Sequence, residues 1–165
     1  MDLLSRPPDQ TALRAAFGCI PQGVTAVCAL DGDGTPHGIA ASSLTTVSLD
    51  PPLISLCMAN TSRTWPRLRG LPRLGVSVLS HRQNAACRAL AAQCDNRFAD
   101  INWIATDDGA VLLDGAVLWM DCSVDNEMAA GDHQLILLRI HRLSARPELE
   151  PLVFHASRFH RLQAL

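Results

Sequence analysis

Apolar positions recur along this chain with two different periods. Val24, Ala26, Cys28 and Leu30 interleave with Thr25, Val27 and Ala29, the two-residue period of a strand. Asp31-Gly32-Asp33-Gly34 follows as a turn, because glycine tolerates positive φ. A second strand is predicted from Gly38 to Val47 and is ended by Asp50-Pro51-Pro52, since proline cannot donate to a ladder. Leu53 to Met58 and Leu74 to Leu79 read as buried strands. Longer β segments are predicted over 110–124 and 132–143, joined by a loop from Asp125 to Gly131, and Leu152 to Phe154 is a last short strand.

Helical spacing is confined to three places. Leu13, Ala16 and Phe17 predict a short amphipathic helix over 10–19. A second is predicted over 62–70, with Thr61 or Ser62 as cap and Pro66 near its first turn. Ser80 and Gln83 have capping-box spacing before Ala86, Ala89, Leu90 and Gln93, which predicts a third helix over 81–93. The total is six or seven strands with helices at the start and in the middle. Strands do not alternate regularly with helices, so the class is mainly β: an antiparallel β-barrel with helical excursions.

The chain has 165 residues, enough for one domain over 10–165 behind a flexible N-terminal arm of residues 1–9 containing Pro7 and Pro8. Hydrophobic residues make up 48% and charged residues 18%, which excludes a disordered chain. A net charge of −2 gives no electrostatic footprint for nucleic acid. There is no apolar run long enough to predict a membrane helix, and the N-terminus lacks a secretory apolar region. Cys19, Cys28, Cys57, Cys87, Cys94 and Cys122 show neither CxxC nor zinc spacing, and read as small hydrophobes in a reducing, cytoplasmic compartment. His37, His81, His141, His155 and His160 lack metal-ligand spacing, so no metal is assigned.

Three segments carry candidate chemistry. Ala40 to Thr46 is rich in small residues and hydroxyls, which let a planar ligand lie flat while amides and hydroxyls bond its polar edge; its plain alternative is a strand with one wet face. Asn60-Thr61-Ser62-Arg63-Thr64 opens a predicted helix and offers hydroxyls, a guanidinium and free N–H groups to a phosphate; its plain alternative is a cap. Gly131-Asp132-His133 puts a histidine at a strand mouth, where it can bond a carboxamide or simply close a loop. Arg63, Arg67, Arg69 and Arg73 form a basic run that is either a solvated helix face or includes a phosphate ligand. There is no GxGxxG, GxxxxGK[ST] or GxSxG motif, which leaves Rossmann, P-loop and triad-hydrolase readings without support.

The order of these parts resembles the flavin reductase-like family, the short-chain reductases of two-component monooxygenases. The resemblance runs over about residues 12–162. It is carried by Gly23-Val24-Thr25-Ala26-Val27, by the block from Gly38 to Leu53, by Asn60-Thr61-Ser62-Arg63-Thr64, and by Leu74 to Ser80 with Gln83. Phe98 and Trp103 after Cys94 to Arg97, then Leu113-Asp114-Gly115-Ala116, Gly131-Asp132-His133 and Pro151-Leu152-Val153-Phe154, complete it. Leu74 and Ser77 stand where that family commonly has phenylalanine and asparagine.

The resemblance implies an FMN-binding split β-barrel of Greek-key antiparallel strands, acting as a homodimer. It implies transfer of hydride from NADH or NADPH to FMN or FAD, with reduced flavin passed to a partner monooxygenase. The flavin ring would lie along residues 40–46, on Ala41, Ser42, Ser43, Leu44 and Thr45, with Cys57 and Asn60 beside it. Phosphate would sit near Ser62, Arg63 and Thr64, and Ser80 and Gln83 would line the ring or ribityl side. His133 would orient the nicotinamide as the catalytic-site histidine. Two other readings remain open: a flavin- or heme-binding barrel that does not turn over NAD(P)H, and a flavoenzyme acting on its own substrate.

Overall fold

The computed structural model describes residues 9–94 and 96–163. Apart from Asp9, the predicted N-terminal arm lies outside the described residues. Helix α1 (Gln10–Phe17) starts where the Asp9 carboxylate accepts the Ala12 N–H at 2.8 Å. The strands that follow are β1 (Gln22–Gly23), β2 (Thr25–Leu30), β3 (Pro36–Ala41), β4 (Thr45–Leu49) and β5 (Pro52–Ala59). After helix α2 (Trp65–Leu68) come β6 (Leu74–Val78), a 3₁₀ turn (His81–Gln83) and helix α3 (Asn84–Ala91). The chain ends with β7 (Trp103–Ala105), β8 (Val111–Leu113), β9 (Leu118–Ala130), β10 (His133–Ala145), β11 (Leu152–His155) and β12 (Arg158–Arg161). No helix among the described residues is long and apolar enough to cross a membrane.

Seven strands form one antiparallel sheet in the order β3-β2-β6-β9-β10-β5-β4. Its two edge strands, β3 and β4, are consecutive in the chain, so the sheet must curl until the link Ser42-Ser43-Leu44 joins edge to edge. The barrel is thereby closed by a connection, not by a ladder.

Two apolar clusters hold it. One packs Val27, Leu56, Leu74, Val76, Ile136 and Leu138 around Trp65 and Leu68 of α2. The other sets Val24, Ala26 and Cys28 against Leu79, Leu90, Val111 and Leu113. β2 is therefore buried on both faces, which is why both of its alternating sets, Val27 with Ala29 and Ala26 with Cys28, are apolar. Burial keeps the Cys122 thiol neutral by raising its pKa to about 12, and pushes Cys28 higher still. All six cysteines are free thiols.

β8 crosses the outer face of β6 at van der Waals distance. A Cβ built on Gly75 would lie 2.0 Å from the Val111 carbonyl oxygen, so only glycine fits there. Ser77, two residues on, is fully buried and its hydroxyl accepts the Leu113 N–H at 3.0 Å.

The structure corrects four expectations. The predicted strand from Gly38 to Val47 is two strands that diverge at residues 42–44 and run along opposite edges of the sheet. The predicted loop from Asp125 to Gly131 is strand almost throughout. β9 and β10 pair out to Ala130 opposite His133, leaving a two-residue turn in which Gly131 has φ +68°. Polar Asp125, Asn126 and Glu127 conceal this strand in the sequence. The predicted helix over 62–70 shrinks to the four residues of α2. The predicted helix over 81–93 begins as 3₁₀, although its Ser80/Gln83 capping box forms as expected.

Candidate functional site

The split between β3 and β5 opens a cleft of about 500 Å³. β3 supplies Ile39, Ala40 and Ala41 to its wall, the link supplies Ser42 and Ser43, and β5 supplies Cys57 and Ala59. Thr61, Ser62, Arg63 and Thr64 form one end, Leu90, Ala91 and Gln93 come from the α3 side, and His133 enters from the mouth of β10. Of the residues predicted from sequence, Ala41, Ser42, Ser43, Cys57, Ser62, Arg63, Thr64 and His133 therefore meet in one place.

The link is pinned to β5 by one side chain. Ser43 Oγ accepts the Cys57 N–H at 2.8 Å and donates to the Cys57 carbonyl at 3.2 Å. That hydroxyl is thus committed to the backbone, and of the two serines Ser42 is the one left to meet a ligand. Leu44 instead packs against the inner apolar cluster, and Thr45 is exposed on β4 opposite Ser55. Neither lines the cleft, because the chain has by then crossed to the other edge of the sheet.

Asn60 stands beside the cleft as a fastener. Its backbone N–H donates to the Asp132 carbonyl at 2.9 Å, and its side-chain amide donates to the Gly131 carbonyl at 3.2 Å. Its Oδ1 accepts the Gln134 amide at 3.0 Å. These bonds tie the β9–β10 turn to the end of β5, where His133 pairs with Ala59. The His133 Nδ1 lies 2.7 Å from the Asp132 carboxylate, which is held below the usual carboxylate range chiefly by that hydrogen bond. This leaves Nε2 as the free ring nitrogen.

At the basic end, Ser62 Oγ accepts the N–H of Trp65, the first residue of α2, at 3.1 Å, while Thr64 stands at the N-cap position. With only four residues, α2 contributes little dipole, so the charge for an anion comes from side chains. Arg97, which no motif in the sequence marks, also reaches this end. Its guanidinium donates to Thr64 Oγ1 at 2.9 Å and to the carbonyls of Gly38 and Leu90 at 3.2 and 3.3 Å. The only sequence signal was a basic residue beside Phe98, in a segment whose fold is irregular.

Ser80 and Gln83 lie elsewhere. They line a separate cavity with Arg82, Asp114, Arg146 and Glu150. Gln83 accepts the Ser80 N–H at 2.9 Å and donates to the Asp114 carbonyl at 2.8 Å, which makes the pair a staple between segments.

The donor set of the cleft suits a flavin phosphate and ring. β3 is an edge strand, and the Gly38 carbonyl on its free edge already meets Arg97. The two-residue period turns the Ala40 backbone to that same free edge, where it can bond a heteroaromatic rim. Small side chains at Ala40, Ala41 and Ser42 leave room for a flat ring, and Arg63 with Arg97 supplies positive charge for a phosphate.

The flavin reductase like domain family matches residues 17–163. A flavin reductase of Pseudomonas putida is 33% identical over 147 residues, covering 89% of this chain and 86% of that protein. The reductase subunit HsaB of a flavin-dependent monooxygenase from Rhodococcus jostii is 32% identical over 151 residues, covering 92% of this chain and 77% of that protein. Among solved structures, the NADH:FAD oxidoreductase SgcE6 of Streptomyces globisporus, in complex with NAD and FAD fragments, superposes with a TM-score of 0.90 at 34% identity, covering 98% of each chain. With the family matched from α1 to the last strand, this chain belongs to the flavin reductase-like family.

Proposed function

We propose that the cleft between β3 and β5 is where this chain brings flavin and reduced nicotinamide together. The chain is an NAD(P)H:flavin oxidoreductase that supplies reduced flavin to a monooxygenase partner. With both bound, the nicotinamide would supply a hydride from C4 to flavin N5, and solvent would supply the one proton that completes the reduced flavin. The protein contributes orientation and charge. Ala40 and Ser42 offer an amide and a hydroxyl to the ring edge, Arg63, Thr64 and Arg97 offer charge and donors to phosphate, and His133 offers Nε2 to the nicotinamide carboxamide. The observation that carries this reading is the convergence of His133 with the link and the basic end in a single cleft.

The test follows the near-ultraviolet absorbance of NADH or NADPH on mixing with protein and FMN or FAD. Flavin-dependent loss of that band is expected. Flavin binding without turnover in any pairing would overturn the reductase reading and favour a flavin carrier.

The working unit in this proposal is a homodimer. Support comes from exposed apolar side chains at Val47 and Leu49 on edge strand β4, at Phe17 ending α1 and at Ile20 beyond it; Leu49 is 96% exposed. A single-chain mass by light scattering at micromolar concentration would remove this part.

A further inference from the structure

One residue outside the cleft holds the chain on both sides of His133. The Asn60 side-chain amide donates to the Gly131 carbonyl at 3.2 Å, and its Oδ1 accepts the Gln134 amide at 3.0 Å. The Asn60 backbone N–H donates to the Asp132 carbonyl at 2.9 Å. Asn60 thus grips the two residues before His133 and the one after it. It is exposed and stands outside the cleft wall, although its neighbours Ala59 and Thr61 both line that wall. The pairing of β5 with β10 ends at Ala59 opposite His133, so these bonds carry the hold of β5 one step past the ladder, onto the turn. A two-residue turn at the end of a hairpin is where a ladder frays first, and His133 is the residue next to it. In the other direction Asn60 leads into residues 61–64 at the basic end, after a reversal closed by the Ser62 N–H on the Ala59 carbonyl at 2.9 Å. The histidine turn and the basic end are therefore joined at Asn60.

We infer that Asn60 is a positioning residue for hydride transfer: it sets where His133 stands relative to the basic end and touches neither ligand itself. The inference rests on the reading of His133 and of the cleft given above. Hydride transfer requires the nicotinamide and the flavin to meet in one narrow geometry. One ligand is anchored at His133 and the other at the basic end, so their offset is fixed only if the two anchors are fixed to each other. Asn60→Ala removes the Gly131 and Gln134 bonds but keeps the backbone bond to Asp132 and the pairing of His133 with Ala59. The turn loosens without coming apart, and the imidazole is displaced but still present. The loss therefore falls on the chemical step, is smaller than on deleting the ring, and spares flavin bound at the far end.

The test compares the full chain with Asn60→Ala, Gln134→Ala, His133→Ala and the Asn60→Ala/His133→Ala pair. Flavin affinity is read by fluorescence quenching. The rate of flavin reduction is read in a single anaerobic turnover at saturating NADH, with and without deuterium at the transferred C4 position. Asn60→Ala is expected to slow that turnover roughly tenfold while FMN and FAD affinity stay within about threefold. The slowed step should remain sensitive to deuterium, which identifies it as hydride transfer. Gln134→Ala cuts the same tether from its other end and should slow turnover by a smaller factor. In the His133→Ala background, Asn60→Ala should add less than about twofold, because its effect passes through a ring that is no longer there. Losses that multiply in the double variant would overturn the proposal. So would flavin affinity falling in step with the rate, which would make Asn60 a flavin contact or a residue of the fold, or a loss insensitive to deuterium. If Asn60→Ala does not fold, Gln134→Ala decides, and an unchanged rate there overturns the proposal. Absence of nicotinamide turnover in the unaltered chain would instead sink the reductase reading, and this role with it.

Discussion

His133→Ala is expected to lower kcat/KM for reduced nicotinamide by about a hundredfold while flavin affinity stays within about threefold. The reasoning starts from how firmly the imidazole is held. His133 is the first residue of β10, laddered to β9 on one side and β5 on the other. Asn60 and Gln134 fasten the turn before it, and Asp132 takes Nδ1 at 2.7 Å. With its backbone fixed on both sides and its ring bonded through Nδ1 to Asp132, the side chain is set to present Nε2 to the cleft. Hydride transfer tolerates little error in approach, so losing one orienting contact is costly at the reacting atoms and cheap for flavin bound at the far, basic end. The loss should appear in kcat at saturating NADH as well as in KM. Asp132→Asn should cost less, about tenfold, because an amide still bonds the ring but no longer orders its tautomer. Unchanged turnover in His133→Ala would remove the histidine from the site. Flavin affinity falling in step with activity would make it a flavin contact.

Gly75→Ala should unfold the chain far more easily. Gly75 lies mid-sheet on β6, paired with Cys28 of β2 and Asp121 of β9, and β8 passes directly over it. The added methyl would meet the Val111 oxygen, carbon and nitrogen at 2.0, 2.5 and 2.8 Å. These are backbone atoms of a strand that is itself held by the Ser77–Leu113 bond, so neither side can give by a rotamer change. Overpacking of this kind costs about 3 kcal/mol, which corresponds to a fall of roughly 10 °C in Tm for a chain of this size. Thermal unfolding followed by circular dichroism measures it. Gly70→Ala is the control, because nothing lies within 4 Å of a Cβ at that position. Equal Tm values for the two variants would mean that β8 does not press on β6.

Much of this architecture was readable from residue periodicity, for a reason visible in the core. β2, β5 and β6 are buried segments rich in apolar residues between turn residues, so their pattern survives any detail of tertiary context. The distal half of the β9–β10 hairpin was unreadable because its stability comes from cross-strand pairing. Asp125 is held by Arg139 at 2.7 Å, a partner fourteen positions away. The site divides in the same manner. The hydroxyl-rich block, the Asn60–Thr64 segment and His133 were legible as chemistry. Their division of labour was not: Ser43 and Asn60 are spent on backbone, Leu44 and Thr45 belong to the opposite edge, and Ser80 with Gln83 staple another region. Arg97 was invisible because its position depends on an irregular segment folding back under Gly38.

The link from Ser42 to Leu44 also bears on how such a protein diversifies. It closes the barrel without belonging to either flanking strand, and its attachment to β5 rests on one serine. A neighbour such as Ser42 can therefore be exchanged with little penalty to the scaffold, while its side chain faces whatever occupies the cleft. Selection can retune ligand preference at that position separately from folding, so long as Ser43 is kept.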